Sequence, residues 1–231
     1  MADGAVAHAH DHHAADLQHH FDSLEQQHEA ATLGMWLFLI TEVLFFGGLF
    51  LAYMLYRVWY PEAWAEASLE LDITLGTINT AVLIGSSLTM AFAVRSAQTG
   101  MQKATVNWVL ATMALGLTFL VIKYFEYAEK VEHSHVPGWL GGAFHFDGPW
   151  ARPAELYFAL YFVMTGLHAT HMLIGFGILS VIAWMAYRGR FTKEWNTPVE
   201  ISGLYWHFVD IVWIFLFPLL YLVDRAHGGG M

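Results

Sequence analysis

Charged positions fall at the edges of long apolar stretches instead of recurring within them. Residues 33–56 carry one charge, Glu42, and residues 73–94 and 104–122 carry none, the third stretch running on through an aromatic end to 127. Residues 156–187 contain no acid, lysine or arginine, although His168 and His171 lie inside, and residues 201–223 enclose His207 and Asp210. About 20 apolar residues cross a hydrocarbon core roughly 30 Å thick. The pattern therefore predicts five spans, at about 33–56, 73–94, 104–127, 156–187 and 201–223. In lipid every backbone amide must bond inside its own segment or a closed barrel. Barrel strands would be about 10 residues long and would alternate polar with apolar, which these runs do not. The expected fold class is all-α, an integral membrane bundle of five transmembrane helices. The fourth run exceeds a simple crossing and is expected to tilt or to project from the bilayer.

Boundary residues agree with these spans. Tyr56, Trp59 and Tyr60 close the first, and Tyr205 and Trp206 open the fifth, as interfacial aromatics do. Ala81/Gly85 and Gly166/Thr170 are spaced for close helix contact. Residues 128–153 form the one long connection and carry Pro137-Gly138, Gly141-Gly142 and Pro149, so an irregular cap outside the membrane is expected there. Residues 1–32 lack lysine, arginine and an apolar core, so they are not a secretory signal; they are expected to form a disordered, histidine-rich tail. Residues 33–225 are expected to form the membrane domain, with 226–231 as a C-terminal tail. Basic residues divide evenly between the two sides, Arg95, Lys103, Arg188, Arg190 and Lys193 against Arg57, Lys123, Lys130, Arg152 and Arg225. The positive-inside rule thus gives only a slight preference, from loop compactness, for a cytoplasmic N-terminus.

Composition sharpens the class. Apolar residue types make up 57% of the chain and charged ones 13%, well under the ~25% typical of soluble domains. With no cysteine, disulfides, zinc–thiolate sites and iron–sulfur clusters are excluded. A formal charge of −10 argues against nucleic acid as a partner.

Candidate chemistry lies in the ionisable groups inside spans, which are costly there and normally face the protein interior. They are Glu42, His168, His171, His207 and Asp210, with Asn79 and Thr165 as milder cases. Because three spans contribute them, one shared internal polar network is expected. Glu42 admits two readings: a carboxyl tied to proton movement, or a buried carboxyl bonded to a histidine of another span. His168 and His171 share a helix face, but a metal site needs about three or four ligands, so hydrogen-bonding histidines are the simpler reading. His207 and Asp210 either pair internally or lie near the membrane surface. His8, His10, His12, His13, His19, His20 and His28 could bind metal adventitiously. Catalytic and metal-ligating sets are not apparent. Arg188, Arg190 and Trp206 are candidates for lipid headgroups.

The motifs carry a resemblance. Residues 33–46, reading Leu-Gly-Met-Trp-Leu-Phe-Leu-Ile-Thr-Glu-Val-Leu-Phe-Phe, Asn79-Thr80 with Ser86-Ser87, Glu126-Tyr127, Thr165-Gly166-Leu167-His168 through His171, and Tyr205-Trp206-His207-Phe208-Val209-Asp210 resemble, in order, the helices of subunit III of the heme–copper terminal oxidases. The similarity runs from about residue 24 to 223. It implies a non-catalytic subunit of a complex that reduces oxygen to water and pumps protons. Heme and copper would lie in partner subunits, subunit I above all, with subunit II beside it, and phospholipid would be bound. It also implies a bacterial inner membrane location with a cytoplasmic N-terminus, and makes His171 the partner of Glu42. Many relatives carry two further N-terminal helices enclosing a lipid-filled cleft, half of which is here absent or supplied by another subunit. Where the family often has a histidine followed by Gly-x-Glu, this chain reads Trp195-Asn196-Thr197-Pro198-Val199-Glu200. Quinol oxidases and nitric oxide reductase systems use similar subunits, and a stand-alone proton or ion carrier is a separate possibility, although carriers commonly show inverted repeats and broken helices.

Overall fold

The computed structural model describes residues 17–142 and 144–223. Its elements are α1 (Leu24–Trp59), α2 (Pro61–Leu69), α3 (Ile73–Gln98), α4 (Gln102–Glu132), a 3₁₀ turn (Gly138–Leu140), α5 (Ala151–Tyr187) and α6 (Thr197–Tyr221). The described residues contain no strand. Among the described residues five helices, α1, α3, α4, α5 and α6, are long and apolar enough to cross a membrane; the first four contain their expected spans, and α6 ends at Tyr221, two residues short of the fifth.

Their ends follow from local chemistry. α1 begins at Leu24, ahead of the apolar run, because Ser23 Oγ accepts the Gln26 N–H at 3.1 Å, satisfying an otherwise orphaned donor. Residues 24–32, assigned to the tail from sequence, are thus helical, whereas His8, His10, His12 and His13 lie outside the described residues, as does the C-terminal tail. Asp72 caps α3 in the same way, accepting from Thr74 and Leu75 N–H at 2.7 and 3.2 Å. After α3 the chain reverses through Gly100 at φ +75°, a conformation open to glycine at little cost.

α2 was not legible as a separate element. Pro61 starts it, where a missing N–H costs nothing. It buries Ala63, Trp64, Ala67 and Ser68, and it packs chiefly on α5. The described part of the connection between α4 and α5 is irregular apart from the 3₁₀ turn at Gly138–Leu140.

The helices form a ring in which α3 packs on α4, α4 on α5, α5 on α6 and α6 back on α3. α1 lies outside the ring, against α6 and α5. Burial matches this order: 56% of the most apolar window of α6 is buried against 11% for α1. Leu44, Leu51 and Val58 of α1 are 71%, 62% and 76% exposed, an apolar surface suited to lipid or to a partner helix.

Trp206 occupies the middle of the ring. An added Cβ on Gly116 of α4, or on Gly175 of α5, would stand 2.9 Å from its ring. Glycine at both positions therefore lets two backbones close on the indole. Its N–H donates to Ser86 Oγ of α3 at 2.9 Å, so one side chain of α6 ties the other three ring helices together. At the other end of α6, tyrosines take up backbone carbonyls left open where the helix stops. Tyr53 of α1 donates to the Leu219 carbonyl, and Tyr157 of α5 to that of Leu220 at 2.7 Å.

Candidate functional site

The expected single network resolves into separate groups. In the first, Glu42 of α1 meets His171 of α5, Oε2 to Nε2, at 3.1 Å. His171 Nδ1–H donates to the Leu167 carbonyl at 2.8 Å. That bond orients the ring so that Nε2 faces the Glu42 carboxyl. Phe46 lies against the imidazole at 5.3 Å, and Tyr205 Oη donates to the His171 carbonyl at 2.9 Å. The pair opens into a groove of about 380 Å³ whose other walls include Met35, Phe38, Ile174 and Tyr205. Glu42 and His171 side chains are 18% and 14% exposed, so the carboxyl is partly shielded yet within reach of the bundle's outside.

The second group lies on another face. Ser87 Oγ of α3 is 2.7 Å from His207 Nδ1 of α6, and Asp210 opens into the same groove. The carboxyl is buried at 2% exposure, and neither oxygen meets a donor in hydrogen-bond geometry. His168 stands alone: Phe119 and Trp213 flank its ring, each at 5.3 Å, and both ring nitrogens lack a partner among the described residues. Asn79 donates to the Phe119 carbonyl at 3.3 Å. Thr165 Oγ1 bonds the Tyr127 hydroxyl and the Tyr161 carbonyl.

Of the headgroup candidates, Arg188 and Arg190 are exposed beyond the end of α5, and Arg188 lies over the Trp184 ring at 5.1 Å. Trp206 does not reach a lipid headgroup; its full burial between Gly116 and Gly175 replaces the outward position expected of it.

A third group was missed from sequence. Lys123, counted as a loop charge, is buried with Glu126, whose Oε1 lies 3.1 Å from Nζ. Nζ also donates to the Tyr161 and Tyr221 hydroxyls at 3.0 and 2.9 Å, and both tyrosines donate to Glu126. The rings of Tyr127, Tyr161, Trp213 and Tyr221 surround the ammonium at 4.9–5.6 Å, an attractive arrangement for a desolvated cation. Lys130 is buried too and donates to the Glu70 carbonyl, joining the end of α4 to the turn before α3. The i, i+3 spacing of Lys123 and Glu126 at a span's end was the available signal.

Among the described residues no cluster of three or more histidines and acids could hold a metal ion. His168 faces aromatic rings and not a second histidine, so these residues do not provide facing axial ligands for a heme.

A family model described as cytochrome c oxidase subunit III matches residues 14–224. The chain belongs to that family. It is 32% identical over 205 residues to a cytochrome c oxidase subunit 3 of Thermostichus vulcanus, covering 88% of this chain and 92% of the relative. A heme-copper oxidase subunit I+III of Aeropyrum pernix is 31% identical over 195 residues, 82% of this chain and 22% of that longer protein. A protein of Staphylococcus haemolyticus named probable quinol oxidase subunit 3 is 28% identical over 210 residues, 90% of this chain and 96% of the relative. As a member of the subunit III family, the chain is part of an oxidoreductase complex, and its Glu42–His171 contact joins two of the segments that carry the family resemblance.

Proposed function

We propose that this chain is the non-catalytic subunit III of a proton-pumping heme–copper oxidase that reduces oxygen to water, seated in a bacterial inner membrane with its N-terminus cytoplasmic. Residues 33–225 act as one membrane domain. Heme and copper belong to partner subunits, subunit I foremost with subunit II beside it. The Aeropyrum relative, whose name joins subunits I and III, supports the first of these partnerships.

The observation that carries the reading is the Glu42–His171 pair at 3.1 Å. The imidazole is oriented by its own helix and the groove is open to the outside, so the pair can exchange a proton with a partner. Such a pair holds a proton near the partner's uptake route, and it keeps the catalytic subunit active through repeated turnover. The apolar groove between α1 and α6, about 450 Å³ and lined by Trp36, Val43, Phe50, Phe208 and Phe215 among others, suits a phospholipid acyl chain. Arg188 and Arg190 would meet a headgroup phosphate beyond α5.

Cytochrome c is the first reading for the electron donor. The Staphylococcus relative supports a quinol oxidase as the alternative host.

The test is purification from native membranes through a tag on this chain. The reading expects a co-purifying heme-bearing partner with an oxygen-consuming activity. A stable heme-free protein that moves protons when reconstituted alone in liposomes would support the carrier reading instead.

A further inference from the structure

His168 lies inside the helix ring with neither ring nitrogen bonded. Its exposure is 1%, and Nδ1 and Nε2 both lack a partner among the described residues. Two further buried oxygens share that condition, Asn79 Oδ1 of α3 and Glu126 Oε2 of α4. Common neighbours bring the three side chains into one region. Asn79 donates to the Phe119 carbonyl at 3.3 Å, and the Phe119 ring stands against His168 at 5.3 Å. Trp213 also lies 5.3 Å from His168, and its ring carries the Lys123 ammonium at 5.1 Å. Lys123 in turn holds Glu126 through Oε1.

The side-chain donors of this region are engaged elsewhere. Trp213 Nε1 donates to Thr80 Oγ1 at 3.0 Å. Lys123 Nζ donates to Glu126, Tyr161 and Tyr221, three bonds for its three protons. Thr165 gives its proton to the Tyr161 carbonyl and so accepts from Tyr127. Trp206 donates to Ser86.

An imidazole needs one donor and one acceptor when neutral, and two acceptors when charged. An aromatic face takes an N–H weakly and gives nothing to a nitrogen that accepts. Leaving buried polar atoms bare costs more than immobilising a water molecule beside them. A buried water commonly bonds two to four such groups, and it can both donate and accept, so it suits His168 in either protonation state. An acyl chain or a dissolved gas such as dioxygen brings no donor.

We propose that the ring interior beside His168 is a binding site for water, which bridges the imidazole to the open oxygens of Asn79 and Glu126. His168 is its anchor, and Phe119 and Trp213 are its walls. Trp206 fills the next layer of the ring against Gly116 and Gly175, so the site is a closed pocket and not a channel through the bundle. It stands whether or not the chain serves an oxidase.

X-ray irradiation makes hydroxyl radicals wherever water stands, so a buried side chain is oxidised quickly only when bound water adjoins it. Trp213 and Trp206 are both 0% exposed, and bulk accessibility does not separate them. In the protein purified with its native partners, Trp213 should be oxidised several-fold faster than Trp206, as read by mass spectrometry of its peptides. His168→Phe removes both nitrogens and should bring Trp213 down to the Trp206 rate. His168→Gln keeps a donor and an acceptor and should retain most of the excess. Equal rates for the two tryptophans in the native protein would overturn the water site. Undiminished Trp213 oxidation in an assembled His168→Phe protein would overturn the role given to His168. The native comparison decides even where His168→Phe fails to assemble.

Discussion

Glu42 and His171 are 129 positions apart and come from different helices, yet their side chains meet at 3.1 Å, with the histidine's other nitrogen held by its own helix. The contact also fastens α1, the least buried span, to the ring. Glu42→Gln should preserve that fastening, because the amide N–H can donate to Nε2, and the cost should stay near 1 kcal/mol, the size of one ordinary hydrogen bond. Assembly should survive while activity under continuous turnover decays faster than in the native complex. Subunit stoichiometry and oxygen uptake over many turnovers check both halves. Failure to assemble would make Glu42 a structural residue.

The close approach of two backbones to Trp206 gives a steric prediction. Gly116→Ala or Gly175→Ala puts a methyl 2.9 Å from a ring that is fully buried and bonded to Ser86. Overpacking of this kind costs about 1–3 kcal/mol. Gly177→Ala, with nothing within 4 Å of the added carbon, should be neutral or up to about 1 kcal/mol stabilising from helix propensity. Thermal unfolding of the detergent-extracted protein distinguishes the positions.

Lys123 and Glu126 should behave as a unit. Lys123→Met leaves the Glu126 carboxylate buried without its cation. Breaking such a pair costs about 3–5 kcal/mol, and the lower end is expected because the Tyr161 and Tyr221 hydroxyls still donate to it. The double variant Lys123→Met/Glu126→Gln should lose less than the two single losses added together, with a coupling of about 0.5–3 kcal/mol. Additive losses in a double-mutant cycle would show that the pair is not energetically joined.

The connection after α4 should respond to pH through His135. Its ring stacks on Phe158 at 4.9 Å, and burial holds its pKa below the ordinary 6.5, with Lys130 and His133 adding to the shift and Glu70 and Glu129 opposing it. A depressed histidine pKa means the unfolded segment binds the proton more readily than the folded one. Stability from this contact is therefore complete above pH 6.5 and is lost as pH falls towards the folded value. Amide protection in residues 133–142, taken relative to the intrinsic exchange rate at each pH, should fall between pH 7.5 and 5.5, and His135→Gln should abolish most of that difference.

The spans were legible because apolar runs have a length and a charge pattern that bilayer thickness dictates; four runs lie within helices of the structure, and the fifth overruns α6 by two residues. Partnerships were less legible. The Glu42–His171 contact came from resemblance, since spacing along a chain does not say which helices are neighbours. Trp206 read as an interfacial aromatic because its type and place fit one; its burial depends on Gly116 and Gly175, far off in sequence. Lys123 and Lys130 read as loop charges because lysine is rarely buried, and it is Glu126, the tyrosines and the Glu70 carbonyl around them that make burial possible. α2 escaped notice because its buried side depends on α5.

In the proposed function this chain supports a redox centre held by partner subunits. Heme and copper should be measured in the oxidase before and after this chain is stripped away, together with activity over repeated turnovers. Heme and copper in the remaining complex should be unchanged, and activity should start near the native rate, decay sooner, and recover its lifetime when the chain is added back. Loss of heme or copper in proportion to the removed chain, or their presence on the isolated chain, would contradict it.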